Sequence, residues 1–276
     1  MGFAISPRWR WLFELLLRYT PLRSHRVRTA LLLALHRVRR VQRRRLEARG
    51  DQRLSRPALF EMDVRLAELL GDGGYYVEAG ANDGYTQSNT YLLERFHGWR
   101  GLLVEPAPTL SAEAVRERPG ARVVQCALVA PEQAGTTVTL HFAGLMSLVS
   151  GARGSDEADR EWAGSAYLLG ERDHHTFSAP ARTLSDVIED AGSPEIDLLS
   201  LDLEGYEPQA LSGLDLSRHA PRWMLVEAHD DEARDRVEAH LGERYVRVER
   251  FSPMDVLYRR ADVEPRSPSS PARASR

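Results

Sequence analysis

A short glycine-bounded loop with three polar side chains directly follows the first predicted strand. Residues 78–84 read EAGANDG. Gly80 and Gly84 permit tight turns and close backbone approach, because a residue without a Cβ adopts positive φ at little steric cost. The acceptor oxygens of the loop belong to Glu78, Asn82 and Asp83. Since α/β folds bind ligands at the carboxyl ends of their strands, we expect this loop to contact a ligand.

The composition of this loop argues against a phosphate ligand. The loop lacks the G-x-G-x-x-G spacing, and its two carboxylates would repel an anion. A ligand with a cationic sulfonium and an amino group, and without phosphate, suits an acidic loop far better. S-adenosylmethionine fits this description, so the sequence predicts it as the ligand.

A further acidic residue, Glu105, ends the second predicted strand 21 residues after Gly84. In nucleotide-binding α/β folds, an acid at this place accepts hydrogen bonds from ribose hydroxyls. The structural alternatives are that Glu105 caps the following helix and that Asp83 only shapes a turn. The occurrence of both acids in this order favours ligand binding.

Two carboxylates follow the buried strand predicted at Ile196–Asp202. Asp202 and Glu204 lie in a loop before a helix entered at Pro208. Carboxylates in such a place are costly unless they have a partner or a role. We expect them to border an acceptor hydroxyl, as acid/base groups or as ligands of a hard divalent cation such as Mg²⁺. In the alternative, Glu204 and Glu207 only favour the helix N-terminus electrostatically.

His229 follows the next predicted strand at the same edge of the sheet. An imidazole titrates near neutrality and can take a proton from a hydroxyl, so His229 is the third candidate catalytic residue. The alternative is a structural role, which is common for single histidines. The long segment Gly144–Gly170 is predicted to cover the acceptor as a lid.

Motifs of several other enzyme classes do not occur. The sequence contains no Ser-His-Asp motif, P-loop or zinc-ligand spacing, so hydrolases and phosphate-transfer enzymes are poor candidates. Cys126 is the only cysteine, which rules out an intrachain disulfide and an all-cysteine metal site. This cysteine usage fits a reducing cytosol, and we expect a cytoplasmic protein.

Alternating helices and strands from Ala58 onwards position these residues. Strands are predicted at Tyr75–Ala79, Gly101–Glu105, Arg122–Cys126, Thr136–Phe142, Ile196–Asp202, Arg222–Glu227, Tyr245–Arg250 and Met254–Arg259. The alternation implies a mainly parallel sheet covered on both faces, and the short last connection implies an antiparallel hairpin. By fold analogy, the sequence predicts an α/β fold with a Rossmann-like seven-stranded methyltransferase sheet, mainly parallel with an antiparallel C-terminal edge strand.

Three blocks of the sequence resemble the FkbM family of methyltransferases. They are residues 76–90 (YVEAGANDGYTQSNT), 98–106 (GWRGLLVEP) and 196–207 (IDLLSLDLEGYE). The resemblance covers roughly residues 70–260, the size of one domain. It implies S-adenosylmethionine as methyl donor and, usually, O-methylation during the tailoring of sugars, polysaccharides or natural products.

The same resemblance implies roles for individual residues. The residues expected to line the methionine part of the donor are Glu78, Gly80, Asn82, Asp83 and Gly84. Glu105 is expected at the ribose, and Cys126 and Ala127 near the adenine. On its chemistry alone, Cys126 is equally suited to be an inert residue of the core.

The two ends of the chain differ in composition from the predicted domain. Residues 1–56 contain fifteen Arg against three acidic residues, a formal charge of +12, in two predicted amphipathic helices. No apolar run approaches the ~20 residues of a spanning helix. We predict a basic amphipathic helical arm at 1–56, a methyltransferase domain of the FkbM type at 57–260 and a disordered tail at 261–276.

These features leave two functions open. The leading one is an S-adenosylmethionine-dependent enzyme that methylates a hydroxyl of a sugar, polysaccharide or natural-product acceptor. The alternative is a non-catalytic scaffold of the same fold that is associated with a membrane surface through its basic arm. Packing of the arm on its own core or on another subunit is a further interpretation of this segment. No nucleic-acid partner is expected, because no aromatic-basic recognition module accompanies the arginines.

We expect the arm to bind anionic vesicles weakly and in a salt-sensitive way, as a peripheral contact with the inner membrane surface would require. Each cation near such a surface contributes ~1 kcal/mol, and salt screens much of this attraction. Cosedimentation with the vesicles should fall when residues 1–56 are deleted. Equal cosedimentation of the full and truncated chains would contradict a membrane role for the arm.

Overall fold

A computed structural model describes residues 38–142, 148–151, 155, 157–158, 161 and 175–264. These residues belong to two units, divided between Leu54 and Ser55. None of the helices in this described part of the chain has the length and apolar character that crossing a membrane requires.

The described part of the first unit is a helix and the turn that ends it. Residues 38–47 are helical, and the turn at 48–50 closes at Gly50 with a φ of 74°. These residues form a helix within the segment 1–56, for which the sequence predicts two amphipathic helices. Residues 1–37 and 265–276 lie outside the described residues, so the helical arm and the disordered tail stay predictions.

The second unit alternates strands and helices. In chain order the strands are β1 (Tyr75–Ala79), β2 (Arg100–Val104), β3 (Arg122–Val124), β4 (Ala127–Leu128), β5 (Thr137–Phe142), β6 (Leu148–Val149), β7 (His175–Arg182), β8 (Leu198–Leu201), β9 (Trp223–Glu227), β10 (Tyr245–Arg250) and β11 (Asp255–Arg260). The α-helices are α1 (Met62–Leu70), α2 (Tyr91–Phe96), α3 (Pro108–Glu117), α4 (Leu184–Asp190), α5 (Glu207–Ser212) and α6 (Asp231–Leu241). Short 3₁₀ helices occur at Leu59–Glu61, Pro131–Gln133 and Gly242–Arg244.

The central sheet has seven strands in the order β10-β11-β9-β8-β1-β2-β3. Strand β1 pairs in parallel with β2 and β8, and β8 pairs in parallel with β9. Strand β11 runs antiparallel to both β9 and β10, between which it lies. The predicted Rossmann-like sheet, mainly parallel with an antiparallel C-terminal strand at one side, is confirmed. At that side β10 is the outermost strand, because the hairpin folds β11 inwards against β9.

A second, four-stranded sheet has the order β4-β7-β5-β6. The strand predicted at Thr136–Phe142 is confirmed as β5, but it pairs antiparallel with β7 in this small sheet. This small sheet was not predicted from the sequence. The predicted lid, Gly144–Gly170, lies largely outside the described residues; within it, β6 pairs with β5.

Helices cover both faces of the central sheet, as predicted. Alternate residues of β1 enter different clusters, Val77 on one face and Tyr76 on the other. The Val77 cluster includes Leu184 of α4, Leu211 of α5 and Leu241 of α6, and the Tyr76 cluster includes Leu66 of α1, Leu93 of α2 and Ala114 of α3. A strand with both faces buried reads as a continuous apolar run, which explains the sequence of β8.

Arg118, which follows α3, is buried and connects several parts of this unit. It is 1% exposed. Its guanidinium donates to Glu94 Oε2 at 2.8 Å, the Gly84 carbonyl at 3.1 Å, Ser88 Oγ at 3.2 Å, the Tyr76 hydroxyl at 2.8 Å and Thr90 Oγ1 at 3.0 Å. The Glu78 carboxylate lies 3.8 Å from the same guanidinium. One cation thus compensates two carboxylates and fixes the loop from Gly84 to Thr90.

Arg118→Met should lower the free energy of unfolding by about 3–5 kcal/mol, because it leaves buried charges without their cation. Arg116→Met is the matched control, since Arg116 is exposed on α3 and its replacement should change stability by less than about 0.5 kcal/mol. Urea unfolding measures both variants. Equal losses in the two would show that Arg118 has no special structural role.

Candidate active site

A pocket lies at the edge of the central sheet where β1, β2, β3 and β8 end. Of the predicted site residues, those that line it are Glu78, Gly80, Asn82, Glu105, Cys126, Ala127, Asp202 and Glu204. The pocket thus brings together the predicted donor-binding residues with two predicted catalytic carboxylates. Asp83, Gly84 and His229 do not belong to its lining.

Gly80 lies where the ends of three strands approach one another at the pocket. Its φ is 80°, and a Cβ at this position would lie 1.9 Å from the Asp202 carbonyl oxygen. The backbone N–H groups of Gly80 and Ala81 both donate to the Val104 carbonyl at 3.1 Å. Only glycine allows the ends of β1, β2 and β8 to approach this closely.

Glu78 lines the pocket, but much of its hydrogen-bonding capacity serves the protein itself. Its carboxylate accepts from Ser88 Oγ at 2.9 Å, the Asn89 backbone N–H at 2.8 Å and Thr90 Oγ1 at 2.6 Å. The residue is 4% exposed. Glu78 therefore shapes the loop that forms one wall of the pocket.

Asp83 shapes the turn that starts the same loop. One of its oxygens accepts from the backbone N–H groups of Tyr85 and Thr86, at 2.9 and 2.6 Å, and the other accepts from Thr86 Oγ1 at 2.9 Å. This is the turn-forming alternative considered from the sequence. Any effect of Asp83 on a ligand acts through the position of the loop.

Glu105 joins the first two loops at the pocket wall. Its carboxylate accepts from the Asn82 N–H and the Ala107 N–H, both at 2.9 Å. It is 5% exposed, and burial raises its pKa to about 7. A buried acceptor in this position is able to bind a hydroxyl pair of a nucleoside.

Asn89 offers a further acceptor to the pocket. Its side-chain N–H group donates to Ser200 Oγ at 3.1 Å, whereas its Oδ1 is buried and accepts no hydrogen bond from the described residues. Buried polar atoms nearly always have partners, so an open acceptor in a pocket indicates a missing donor. An ammonium or amino group on a ligand would supply it.

Cys126 and Ala127 form an apolar part of the wall. Cys126 is fully buried, and burial raises the pKa of its thiol to about 12. A neutral thiol in such surroundings behaves as a small apolar side chain. This wall offers an apolar surface, and the place of the adenine against it stays a prediction.

Carboxylates accumulate on the other side of the pocket. Asp202 lines it directly, and burial together with Glu227 and Glu204 raises its pKa well above the usual range. Glu207 is 1% exposed, and burial and the charge of Glu227 raise its pKa to about 7. Among the described residues, no arginine forms an ion pair with Asp202, Glu207 or Glu227.

His229 joins this acidic group from the end of β9. Its Nε2 lies 3.2 Å from Glu227 Oε2 and 3.6 Å from Glu204 Oε2. The predicted proximity of His229 to the carboxylates after β8 is therefore present, although His229 stands behind the pocket wall.

Sequence reasoning missed three contributors. Glu227 ends a strand at the ligand-bearing edge, and the rule that singled out His229 could have identified it. Asn89 lies within a block that resembles the FkbM family. Arg118 gave no signal, because nothing in its local sequence indicates burial.

The profile of the family described as "Methyltransferase FkbM domain" matches residues 78–256. This match covers more than half of the chain. The chain belongs to the FkbM methyltransferase family. By its family, it is accordingly an S-adenosylmethionine-dependent methyltransferase.

Solved structures similar to this FkbM protein are distant in sequence. A TehB-like SAM-dependent methyltransferase from Corynebacterium glutamicum shares 13% identity, with 82% of this chain and 99% of that chain covered and a TM-score of 0.38. The human methyltransferase 10 domain containing protein shares 11% identity, with 75% and 83% covered and a TM-score of 0.43. A 1,6-didemethyltoxoflavin-N1-methyltransferase from Burkholderia thailandensis shares 13% identity, with 88% and 93% covered and a TM-score of 0.35. A search of curated protein sequences found no match.

The pocket of this FkbM protein fits the donor that the family uses. Asn89 Oδ1 is an open acceptor for an amino group, and Glu105 is a buried acceptor for hydroxyls. No Arg or His side chain of the described residues lines the pocket, which disfavours a phosphate-bearing ligand. These features match an amino acid and a nucleoside joined by a cationic sulfonium.

The stability of the protein should depend on the ionisation of Glu105. Its pKa is 4.5 in the unfolded reference and about 7 in the folded protein, so the folded state binds the proton more tightly. Glu105 should therefore destabilise the fold increasingly as pH rises from about 4.5 through 7, by roughly 3 kcal/mol in total. Glu105→Gln removes this dependence. The difference in unfolding free energy between the unmodified protein and Glu105→Gln should grow from pH 5 to pH 8. A difference that stays constant with pH would contradict the raised pKa of Glu105.

Proposed function

We propose that this protein transfers the methyl group of S-adenosylmethionine to a hydroxyl oxygen of a sugar, polysaccharide or natural-product acceptor. The observation that carries the proposal is that one pocket is lined by two groups of side chains, which lie at the ends of different strands. Asn89 and Glu105 belong to the group near the ends of β1 and β2, and the carboxylates of Asp202 and Glu204 follow the end of β8.

The donor wall supports the first half of the proposal. Asn89 is suited to bind the amino group of the donor, Glu105 the ribose hydroxyls, and Cys126 and Ala127 the adenine. When bound, the donor supplies an electrophilic sulfonium methyl group. Because that methyl group is already reactive, the chain mainly has to hold donor and acceptor in line, and alignment can supply several of the ~7–11 kcal/mol available from proximity and orientation.

The carboxylates support transfer to oxygen. A hydroxyl is a poor nucleophile until it loses its proton, and an adjacent base or cation is needed to favour that loss. Asp202 and Glu204 reach the pocket from the end of β8, and His229 lies directly behind them. Either a carboxylate accepts the proton, or these groups hold a divalent cation that acidifies the hydroxyl.

The resemblance to the FkbM family, whose members usually tailor sugars, polysaccharides or natural products, supports the proposed class of acceptor. Leu140 and Val149 of the small sheet and Tyr206 also line the pocket, and they belong to one apolar cluster. Such a surface can contact the C–H faces of a hydroxylated ring while the carboxylates face its hydroxyls.

The two sides of the pocket should fail differently when mutated. Glu105→Ala should weaken donor binding by ~1–3 kcal/mol, the range for leaving polar ligand groups unpaired. Asp202→Asn should leave donor affinity within about threefold and lower turnover by ~10² to 10⁴, the usual contribution of a positioned acid/base group. Calorimetry measures donor affinity, and transfer from labelled donor to pools of sugars and natural products measures turnover.

Asp235→Asn is the matched control, because Asp235 is exposed on α6 and its replacement removes the same charge. It should behave like the unmodified protein in both measurements. Full turnover by Asp202→Asn would make that carboxylate structural. Absence of donor binding in the unmodified protein would favour the non-catalytic scaffold.

A further inference from the structure

Three side chains from the ends of β8 and β9 converge beside the pocket, and one of them, Glu204, also lines it. A ligand atom from each of Glu204, Glu227 and His229 lies within 4.8 Å of the other two. The closest pairs are His229 Nε2 with Glu227 Oε2 at 3.2 Å and with Glu204 Oε2 at 3.6 Å. Two carboxylates and an imidazole at these separations have the composition of a metal-binding cluster.

Glu227 supplies an observation independent of this clustering. It is 7% exposed, and its Oε2 atom, which faces His229, accepts no hydrogen bond from the described residues. Glu207 Oε2 is also buried and accepts no hydrogen bond from the described residues. Buried carboxylate oxygens normally accept hydrogen bonds, so Glu227 Oε2, which has only the His229 contact at 3.2 Å, has the environment expected of a cation ligand.

The charge of the surroundings leads to the same conclusion. Two carboxylates share the single imidazole of His229, whose Nε2 lies 3.2 Å from Glu227 Oε2 and 3.6 Å from Glu204 Oε2. No arginine of the described residues forms an ion pair with Asp202, Glu207, Glu227 or Asp255. The donor wall shows the opposite arrangement, because Arg118 compensates both Glu78 and Glu94 there.

The imidazole of His229 is oriented for coordination. Its Nδ1 lies 3.4 Å from Met254 Sδ, and the adjacent Ala228 N–H donates to the Met254 carbonyl at 2.7 Å. This contact turns Nε2 towards Glu204 and Glu227. Metal-bound histidines are commonly fixed by a hydrogen bond at the second ring nitrogen, and the Met254 thioether is a weak acceptor in that position.

Glu204 reaches the cluster from a loop that is itself fixed. Glu207 Oε1 accepts from the Leu203 N–H at 2.7 Å and from the Gly205 N–H at 3.2 Å, on either side of Glu204. Glu204 also lines the pocket. A group bound by its carboxylate would therefore stand at the acceptor end of the pocket.

We propose that Glu204, Glu227 and His229 bind one divalent cation at the acceptor end of the pocket. Octahedral ions with ligands at about 2.1 Å hold neighbouring ligand atoms about 3 Å apart and opposite ones about 4.2 Å apart, so the observed separations need only small adjustment. Two carboxylates and one imidazole suit Mn²⁺, which accepts both donor types. The role of the cation, acidification of the acceptor hydroxyl, rests on the proposed function.

Titration of the full chain with Mn²⁺ alone, followed by the electron paramagnetic resonance signal of the free ion, tests the site. The unmodified protein should bind one equivalent, and Glu227→Gln and His229→Gln should each weaken binding at least tenfold. Glu232→Gln is the matched control, because Glu232 is exposed on α6 and should leave Mn²⁺ affinity unchanged. Undiminished free Mn²⁺ with the unmodified protein would overturn the proposal, as would unchanged binding by both cluster variants.

Thermal unfolding provides a second measurement, because a purely structural role of Glu227 would not make the unfolding temperature depend on Mn²⁺. Without metal, Glu227→Gln should unfold at the same temperature as the unmodified protein or a higher one, because it removes one of two carboxylates that share the single imidazole of His229. Added Mn²⁺ should raise the unfolding temperature of the unmodified protein only. If Glu227→Gln does not fold, His229→Gln takes its place in this comparison, and an equal rise with Mn²⁺ in the variant would overturn the site.

The outcomes separate this proposal from the proposed function. Methyl transfer to a hydroxyl that proceeds without Mn²⁺ binding would overturn the cation site and leave the proposed function intact. Mn²⁺ binding without S-adenosylmethionine binding would support the cation site and contradict the proposed function.

Discussion

The buried guanidinium of Arg118 is the interaction on which the donor half of the pocket depends. It compensates Glu78 and Glu94 and uses its remaining donors on the loop from Gly84 to Thr90. That loop carries Asn89, whose backbone N–H donates to Glu78. The position of the donor wall is therefore an electrostatic consequence of one cation supplied from the residue that follows α3. Without it, two carboxylates would lie buried and uncompensated, which costs several kcal/mol.

The acceptor half is built on the opposite principle. Parallel strands end at a common edge, so the acids after β8 and β9 are brought together whether or not they attract one another. Glu227 is buried there without an arginine partner among the described residues, and His229 Nε2 lies 3.2 Å from its Oε2. On the donor side, Arg118 neutralises the buried carboxylates, whereas on the acceptor side several carboxyl groups lie close together without an arginine among the described residues. Accumulated charge of this kind is typical of sites whose ligand or reaction relieves it.

Much of the fold could be predicted from the sequence, because the patterns that define it are local. The apolar run of β8 and the alternation of strands and helices required a doubly covered parallel sheet, and the short connection after Arg250 required an antiparallel hairpin. The small sheet escaped prediction, since β5 obtains its partner from β7 across a long intervening segment. Strand pairing over such a distance leaves no periodic signal in either strand.

For the site, the sequence by itself determined which residue types stand at the ends of the strands. It placed Glu105 and Asp202 at the ligand-bearing edge, because strand order and polarity follow from the pattern. Only the tertiary structure decided how these groups are used. Asp83 turned inwards to its own loop, Asn89 kept an open acceptor, and Glu227 became a buried neighbour of His229. Burial, hydrogen-bond partners and local charge arise from residues distant in the chain, and these contacts separate a structural carboxylate from a chemical one.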